Sequence, residues 1–266
     1  MKWWGHVISL ELRKILAYRT DFWVTFLGQA LIQMVIATSL WATIFENQKA
    51  ESMNGYTLPM LTLYYLLVPI GNRILTGENI GFLSREIYDG TFNRYLIYPL
   101  SWIQYKTCTY LTYSLFYASQ LIILYFIYVF TFGSGADFSS VINLLCGVGL
   151  FLFSAVVYLL MAMGIELLSL WADNIWSLMV MFRFFTNFFG GGSIPLAFFP
   201  DWARELLSFT PFPYLVSLPV RTIMGETSWT EISHGMMALS VWGLIFLVIV
   251  QLLWKRGQRS YSGVGI

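Results

Sequence analysis

The residues best placed to do chemistry are polar groups set inside long apolar runs. Arg183 stands inside one such run with Asn187 one turn further on, and Glu166 occupies a similar depth at the end of the preceding run. A charge inside a membrane is costly unless it is paired or hydrated. Two readings therefore stand for Arg183: a structural ion pair with Glu166, or the lining of a substrate path. Thr25, Gln29 and Gln33 recur every four residues, so on a helix they form one stripe that must face protein or a cavity. Such a stripe serves equally well as helix–helix glue or as part of a pathway.

Catalytic and metal chemistry finds no foothold. No Lys follows a Gly, which rules out the phosphate-cradling GxxxxGK[ST] loop, and the two histidines, His6 and His234, stand in no HExxH pattern. GGGS at 190 to 193 lacks the strand-to-helix setting of a nucleophile elbow. Cys108 and Cys146 sit in apolar runs without CxxC spacing and read as small buried hydrophobes. A net charge of +1 leaves no basic excess for nucleic acid.

The elements that must position these groups are membrane helices. Of 266 residues, 58% are hydrophobic and 11% charged, well outside the range of soluble domains. A bilayer core of about 30 Å takes roughly 20 apolar residues per helix. Spans are expected at about 22–45, 56–75, 107–131, 141–170, 174–195 and 236–254. Six crossings put both termini on one side, together with most of the Lys and Arg, including Arg73, Arg85, Arg94, Lys106 and Lys255; that side is then the cytoplasm. Trp254, just before Lys255 and Arg256, reads as an interfacial belt residue. Residues 1–20 read as an amphipathic helix lying on the membrane and kept on the protein, with Trp4, Val7, Leu10 and Ile15 on the apolar side and Glu11, Arg13, Lys14 and Arg19 toward water.

Two segments do not fit a simple bundle. Residues 190–225 are apolar enough to span but carry Pro195, Pro200, Pro211, Pro213 and Pro219, five of the chain's eight prolines. Two short helices are expected there. One is capped by Asp201 and runs through Trp202; the other runs from about Tyr214 to Met224 and closes at Gly225. A dip into the outer leaflet and a loop resting on the surface both accommodate them. The second segment is SREIYDGTFNRYLIYPLSWIQYK, Ser84 to Lys106, between spans two and three. Ile80, Leu83 and Ile87 follow helical spacing while Arg85, Glu86 and Asp89 project elsewhere; Asp89 and Gly90 end that helix. Thr91 starts a second turn that presents Phe92, Tyr95 and Leu96 one way and Asn93 and Arg94 another, until Pro99 stops it. This is either a knob for a soluble partner or a helix pair parked at the headgroups.

REIYDGTFNRYLIYPLS after span two and SIPLAFFPDWARELLSFTPFPYLVSLPVRTIMG before span six, within an interfacial helix and six spans, resemble the permeases of ABC-2 type exporters along the whole chain. The resemblance implies an all-α membrane domain over residues 1–266, with a cytoplasmic coupling helix and re-entrant short helices. It implies a half-transporter in the cytoplasmic membrane of a prokaryote, pairing with a second, identical or different, permease chain. Separate ABC ATPase subunits would dock on Arg85, Glu86, Asp89, Gly90, Thr91, Phe92, Asn93 and Arg94 and carry ATP and Mg, with no cofactor on this chain. Asn93 and Tyr98 depart from the family's usual acidic and basic residues. The cargo would then be hydrophobic or amphipathic, and Gln29, Gln33, Glu166, Arg183 and Asn187 are either part of its path or structural polar groups. A secondary transporter working without an ATPase, or a membrane scaffold that transports nothing, are the rival readings.

Overall fold

The computed structural model describes residues 2–77, 83–132, 140–172 and 174–260. Ile80, the first position of the expected amphipathic pattern, and the loop around 133–139 lie outside them. Twelve helices follow in chain order among the described residues: α1 Lys2–Ala17, α2 Arg19–Gln48, α3 Leu58–Thr76, α4 Leu83–Tyr88, α5 Arg94–Ile97, α6 Trp102–Phe132, α7 Val141–Glu166, α8 Trp176–Phe189, α9 Asp201–Ser208, α10 Phe212–Leu215, α11 Ser217–Met224 and α12 Trp229–Ser260.

Five of these, α2, α3, α6, α12 and α7 with its 3-10 extension to Leu170, are long and apolar enough to cross a membrane. The chain is thus a multi-pass, all-helical membrane protein. The expected span at 174–195 differs: helix α8 has 14 residues, a rise of about 21 Å at 1.5 Å per residue. It stops at Phe189 because the glycine run turns there. Gly191 has φ +86°, a left-handed conformation open to glycine, and the N–H groups of Gly192 and Ser193 both return to the Asn187 carbonyl.

Helices α3 and α7 form the centre, with 56% and 61% of their most apolar stretches buried, against 11% for α2 and α12. They meet where Gly71 faces the Phe151 ring; a Cβ there would lie 2.1 Å from the ring's Cζ. Around this pair pack α2 on α3, α6 on both, α12 on α7, and α11 on both α7 and α3. Helix α3 tolerates Pro69 in its interior, which leaves the Tyr65 carbonyl without its usual helical donor.

Helix α1 is not only a float on the membrane. Val7, Ile15 and also Glu11 are buried against α6, whereas Leu10 and Leu16 are exposed. Glu11, expected to face water, instead pairs with Lys14 at 3.0 Å and accepts from the Tyr113 hydroxyl at 3.4 Å. Its carboxylate is compensated inside the packing of α1 on α6, which amphipathicity alone does not reveal.

The proline-rich segment breaks into more pieces than two. After a 3-10 turn at Leu196–Phe198 comes α9, preceded by Pro200 in extended conformation; Asp201 is its first helical residue and makes no cap bond. The expected second helix is itself split at Val216 into α10 and α11. Pro219 sits in the first turn of α11, where a missing N–H leaves no gap, and Gly225 closes the helix at φ +78°. Trp202 on α9 is 70% exposed, while Leu218, Val220 and Ile223 of α11 are buried. Within this segment α11 is therefore covered by protein, whereas α9 exposes Trp202.

Candidate functional site

Two sites emerge, one at the end of the bundle that carries α4 and α5 and one between α2, α3 and α8.

At the first, α4 ends where expected. Gly90 has φ +69°, the Asp89 N–H returns to the Arg85 carbonyl, and the Thr91 hydroxyl donates to the Glu86 carbonyl. A 3-10 turn over Thr91–Asn93 leads into α5, which stops at extended Tyr98 because Pro99 follows. Leu83 and Phe92 are fully buried. Phe92 meets Trp254 edge-on at 6.3 Å, and Trp102 stacks on the same indole at 6.2 Å. Trp254 is thus half-buried, with its indole packed against the knob and α6. It ties the C-terminal part of α12 to the knob.

Glu86 also turns inward, in contrast to its expected projection with Arg85 and Asp89. Its carboxylate takes the Arg94 guanidinium at 3.1 Å, the Lys106 ammonium at 3.6 Å, the Tyr95 hydroxyl at 3.3 Å and the Trp102 indole N–H at 3.2 Å. Arg94 lies over the Tyr95 ring at 4.7 Å. Burial, and then the Glu86 carboxylate, hold the Tyr95 hydroxyl well above its ordinary pKa, so it remains a donor. One carboxylate therefore joins α4, α5 and α6. Arg85 and Asp89, 3.6 Å apart one turn from each other, remain on the surface with Thr91. Asn93 is half-buried. Tyr88, Ile97 and Tyr98 are 68%, 82% and 61% exposed and form the apolar part of the knob's surface. Sequence reasoning passed over Tyr88 and Ile97 and noted Tyr98 only as a departure from the family's usual basic residue. Their signal was a large side chain on the side of each short helix opposite its buried residues.

At the second site, a cavity of about 820 Å³ brings together Gln29 and Gln33 of α2, Asn72 and Arg73 of α3, and Arg183 of α8. Thr25, the third member of the expected stripe, does not line it. Ile32, Ile36 and Leu40 of α2 supply an apolar wall, and Pro69, Tyr158 and Ser193 contribute as well. The Arg73 Nε donates to Gln29 Oε1 at 3.0 Å. Further along the same antiparallel pair, the Thr38 hydroxyl donates to that of Thr62 at 3.2 Å. Arg183 lies within hydrogen-bonding reach of Tyr158. Glu166 is buried at the end of α7 and is not among the lining residues.

Asn187 stands behind this cavity as a brace. Its amide donates to the Ser193 hydroxyl at 3.0 Å and its side-chain oxygen accepts from Asn72 at 3.3 Å. Tyr64 and Tyr65 of α3 donate to the Gly191 and Ser193 carbonyls at 2.8 and 3.0 Å. The turn after α8 is thereby fastened to α3. Among the proline-rich residues, none of Pro195, Pro200, Trp202, Pro211, Pro213 or Pro219 lines this cavity.

A family model described as ABC-2 family transporter protein matches residues 31–265. The chain belongs to this family. No curated protein and no solved structure matches it. ABC-2 permeases are the membrane components of transporters, and a bundle with several helices long and apolar enough to cross a membrane agrees with that membership. The knob, and the cavity's lining residues other than Gln29, fall within the matched residues.

Proposed function

We propose that the protein is the permease subunit of an ATP-driven exporter that moves a hydrophobic or amphipathic substrate out of the cytoplasm or the inner leaflet. A separate ABC ATPase binds ATP and Mg and docks on the knob formed by α4 and α5. A second permease chain completes the path, both termini face the cytoplasm of a prokaryote, and α8 with the turn after it makes the sixth, short crossing. Helices α9 to α11 form the re-entrant segment in the outer leaflet.

The observation that carries this reading is the build of the knob. Its outer surface offers apolar Tyr88, Ile97 and Tyr98 beside charged Arg85 and Asp89, while Phe92 and Glu86 bind its inner side to α12 and α6. A helix pair that only parked at headgroups has no need of that fastening. A lever does, since force applied at its surface must reach the spans with little slack, and coupling requires contacts that differ between two states. In this reading Arg85, Asp89, Gly90, Thr91 and Arg94 meet the ATPase, and Glu86 and Phe92 hold the lever rigid.

The test is co-purification with the partner ATPase and assay of ATP hydrolysis stimulated by the permease in membranes. Ile97→Asp combined with Tyr88→Ala is expected to abolish both association and stimulation while the permease melts at its usual temperature. Undiminished stimulation in that folded variant refutes the docking assignment. A permease that exports its substrate with no ATPase present refutes the ATP-driven reading itself.

A further inference from the structure

We infer that the ridge of Trp202, Leu206 and Phe209 along α9 is a contact surface for lipid acyl chains, running down to a corner of the chain that lies inside the hydrocarbon; the inference rests on the reading of α9 to α11 as a re-entrant segment and names what its outer face meets. The three residues follow i, i+4, i+7 spacing, so they share one side of the helix, and they are 70%, 63% and 78% exposed. Asp201, Arg204, Glu205 and Ser208 form a second exposed stripe, with Arg204 paired to Asp201. Within α9 only Leu207 is buried. A helix so thinly covered by its own protein needs another partner for its apolar side.

Depth identifies that partner. The Trp242 indole N–H of α12 donates to the Phe209 carbonyl at 3.1 Å, and the Ser154 hydroxyl of α7 donates to the Tyr214 carbonyl at 3.1 Å. Each donor comes 13 residues after the first residue of its helix, about 20 Å along it, near the middle of the stretches Trp229–Arg259 and Val141–Leu170 that are able to span. The corner between α9 and α10 is therefore inside a bilayer core of about 30 Å and not at its surface. Its backbone is equipped accordingly. The Ser208 carbonyl accepts from the Tyr214 hydroxyl at 2.9 Å and the Leu207 carbonyl from the Thr210 hydroxyl at 2.7 Å, while Pro211 and Pro213 have no N–H to leave bare. A loop resting in water has no need of four side-chain donors at one corner; broken backbone in hydrocarbon does.

From this corner α9 rises toward the start of α12. There Arg204 lines a cavity of about 460 Å³ together with Asn54, Gly55 and Glu231, so the charged residues of α9 stand at its shallow end. The ridge thus descends from the headgroup level at Trp202 to the hydrocarbon at Phe209. Val241 and Ile245, beside Trp242 on α12, are exposed, and the ridge continues their apolar face. A water-lined vestibule over the ridge would leave three large apolar side chains in water, which acyl chains do not.

The test places single nitroxide labels at Glu205→Cys, Leu206→Cys and Phe209→Cys, with Cys108 and Cys146 changed to serine, in phosphatidylcholine vesicles. Collisions with oxygen and with a water-soluble nickel chelate are read by power saturation. Labels at Leu206 and Phe209 are expected to meet oxygen in preference to nickel, with Phe209 deeper by about 4–5 Å, and the label at Glu205 to meet nickel. Should the serine changes impair folding, the parent chain is irradiated in phosphatidylcholine that carries a diazirine on its acyl chain, and mass spectrometry must place adducts on Leu206 or Phe209. Nickel collisions that exceed oxygen collisions at Phe209 overturn the re-entrant reading and this inference together. Exclusion of both reagents from Leu206 and Phe209, or acyl-chain adducts absent from both, overturns the lipid contact alone, as expected if a second copy of the chain covers the ridge. Neither measurement uses an ATPase, so a failed ATPase assay beside a lipid-accessible ridge counts against the exporter reading and not against this surface.

Discussion

Removing the Glu86 carboxylate is the sharpest test of how the knob is held. Glu86→Ala deprives four donors on two helices, α5 and α6, at once: Arg94, Tyr95, Trp102 and Lys106. Their exposure decides what each loss is worth. Lys106 has 16% of its side chain exposed and Trp102 none, so neither can turn to water freely. Stranding a mostly buried ammonium costs about 2–3 kcal/mol, and an unpaired buried indole N–H about 1 kcal/mol. Arg94 is 45% exposed and keeps its place over the Tyr95 ring, so its lost ion pair is discounted to below about 0.5 kcal/mol. The expected destabilisation is about 3–4 kcal/mol. At roughly 2–4 °C per kcal/mol for a chain of this size, the melting midpoint falls by about 6–16 °C. Glu86→Gln, which retains one acceptor oxygen, should lose about half as much. The assay is thermal unfolding in detergent followed by tryptophan fluorescence, to which Trp102 and Trp254, packed beside the knob, contribute among the chain's 11 tryptophans. Adding Lys106→Ala to Glu86→Ala must restore part of the loss, because the stranded charge is then gone. A Glu86→Ala midpoint within about 2 °C of the parent, or a Lys106→Ala change that only adds to the damage, refutes the reasoning.

Two further outcomes follow from the packing. Gly71→Ala places a methyl group 2.1 Å from Phe151 Cζ, a rigid ring in the α3–α7 contact, and should destabilise by about 1–3 kcal/mol. Phe151→Leu in the same chain should recover part of this, and an unshifted melting midpoint in the single variant contradicts the close approach. At the far end of the bundle, Glu226 accepts from Tyr56 at 3.1 Å and faces Arg221 at 3.8 Å. Burial raises its carboxyl pKa above the ordinary range, while the Tyr56 bond and Arg221 oppose the rise. The folded state then holds this proton more tightly than the unfolded chain. Its unfavourable contribution is absent below the ordinary carboxylate value and develops as pH rises through the raised one. The melting midpoint of the parent relative to Glu226→Gln should therefore fall as pH is raised across that window; a rising difference contradicts the assignment.

What the sequence by itself determined here is what composition and neighbouring residues determine physically. Long apolar runs can be satisfied only as membrane helices, because the backbone has no other partner in hydrocarbon. Stops at Asp89 and Gly90, at Pro99 and at Gly225 were legible because a left-handed turn or a missing N–H acts on the residues beside it. The spacing of Gln29 and Gln33 told that they share a face of α2. Only the tertiary structure decided what that face meets: Asn72 and Arg73 from α3, and Arg183 from α8, which periodicity within one helix cannot identify. The same limit hid the inward turn of Glu86 and Phe92 and the packing of Trp254 against the knob. Helix α4 has six residues, fewer than two turns, so it carries too little period to fix a face, and the partners that bury these groups come from α6 and α12. Distance along the chain is what makes such partners invisible to local reasoning, and packing of the bundle is what supplies them.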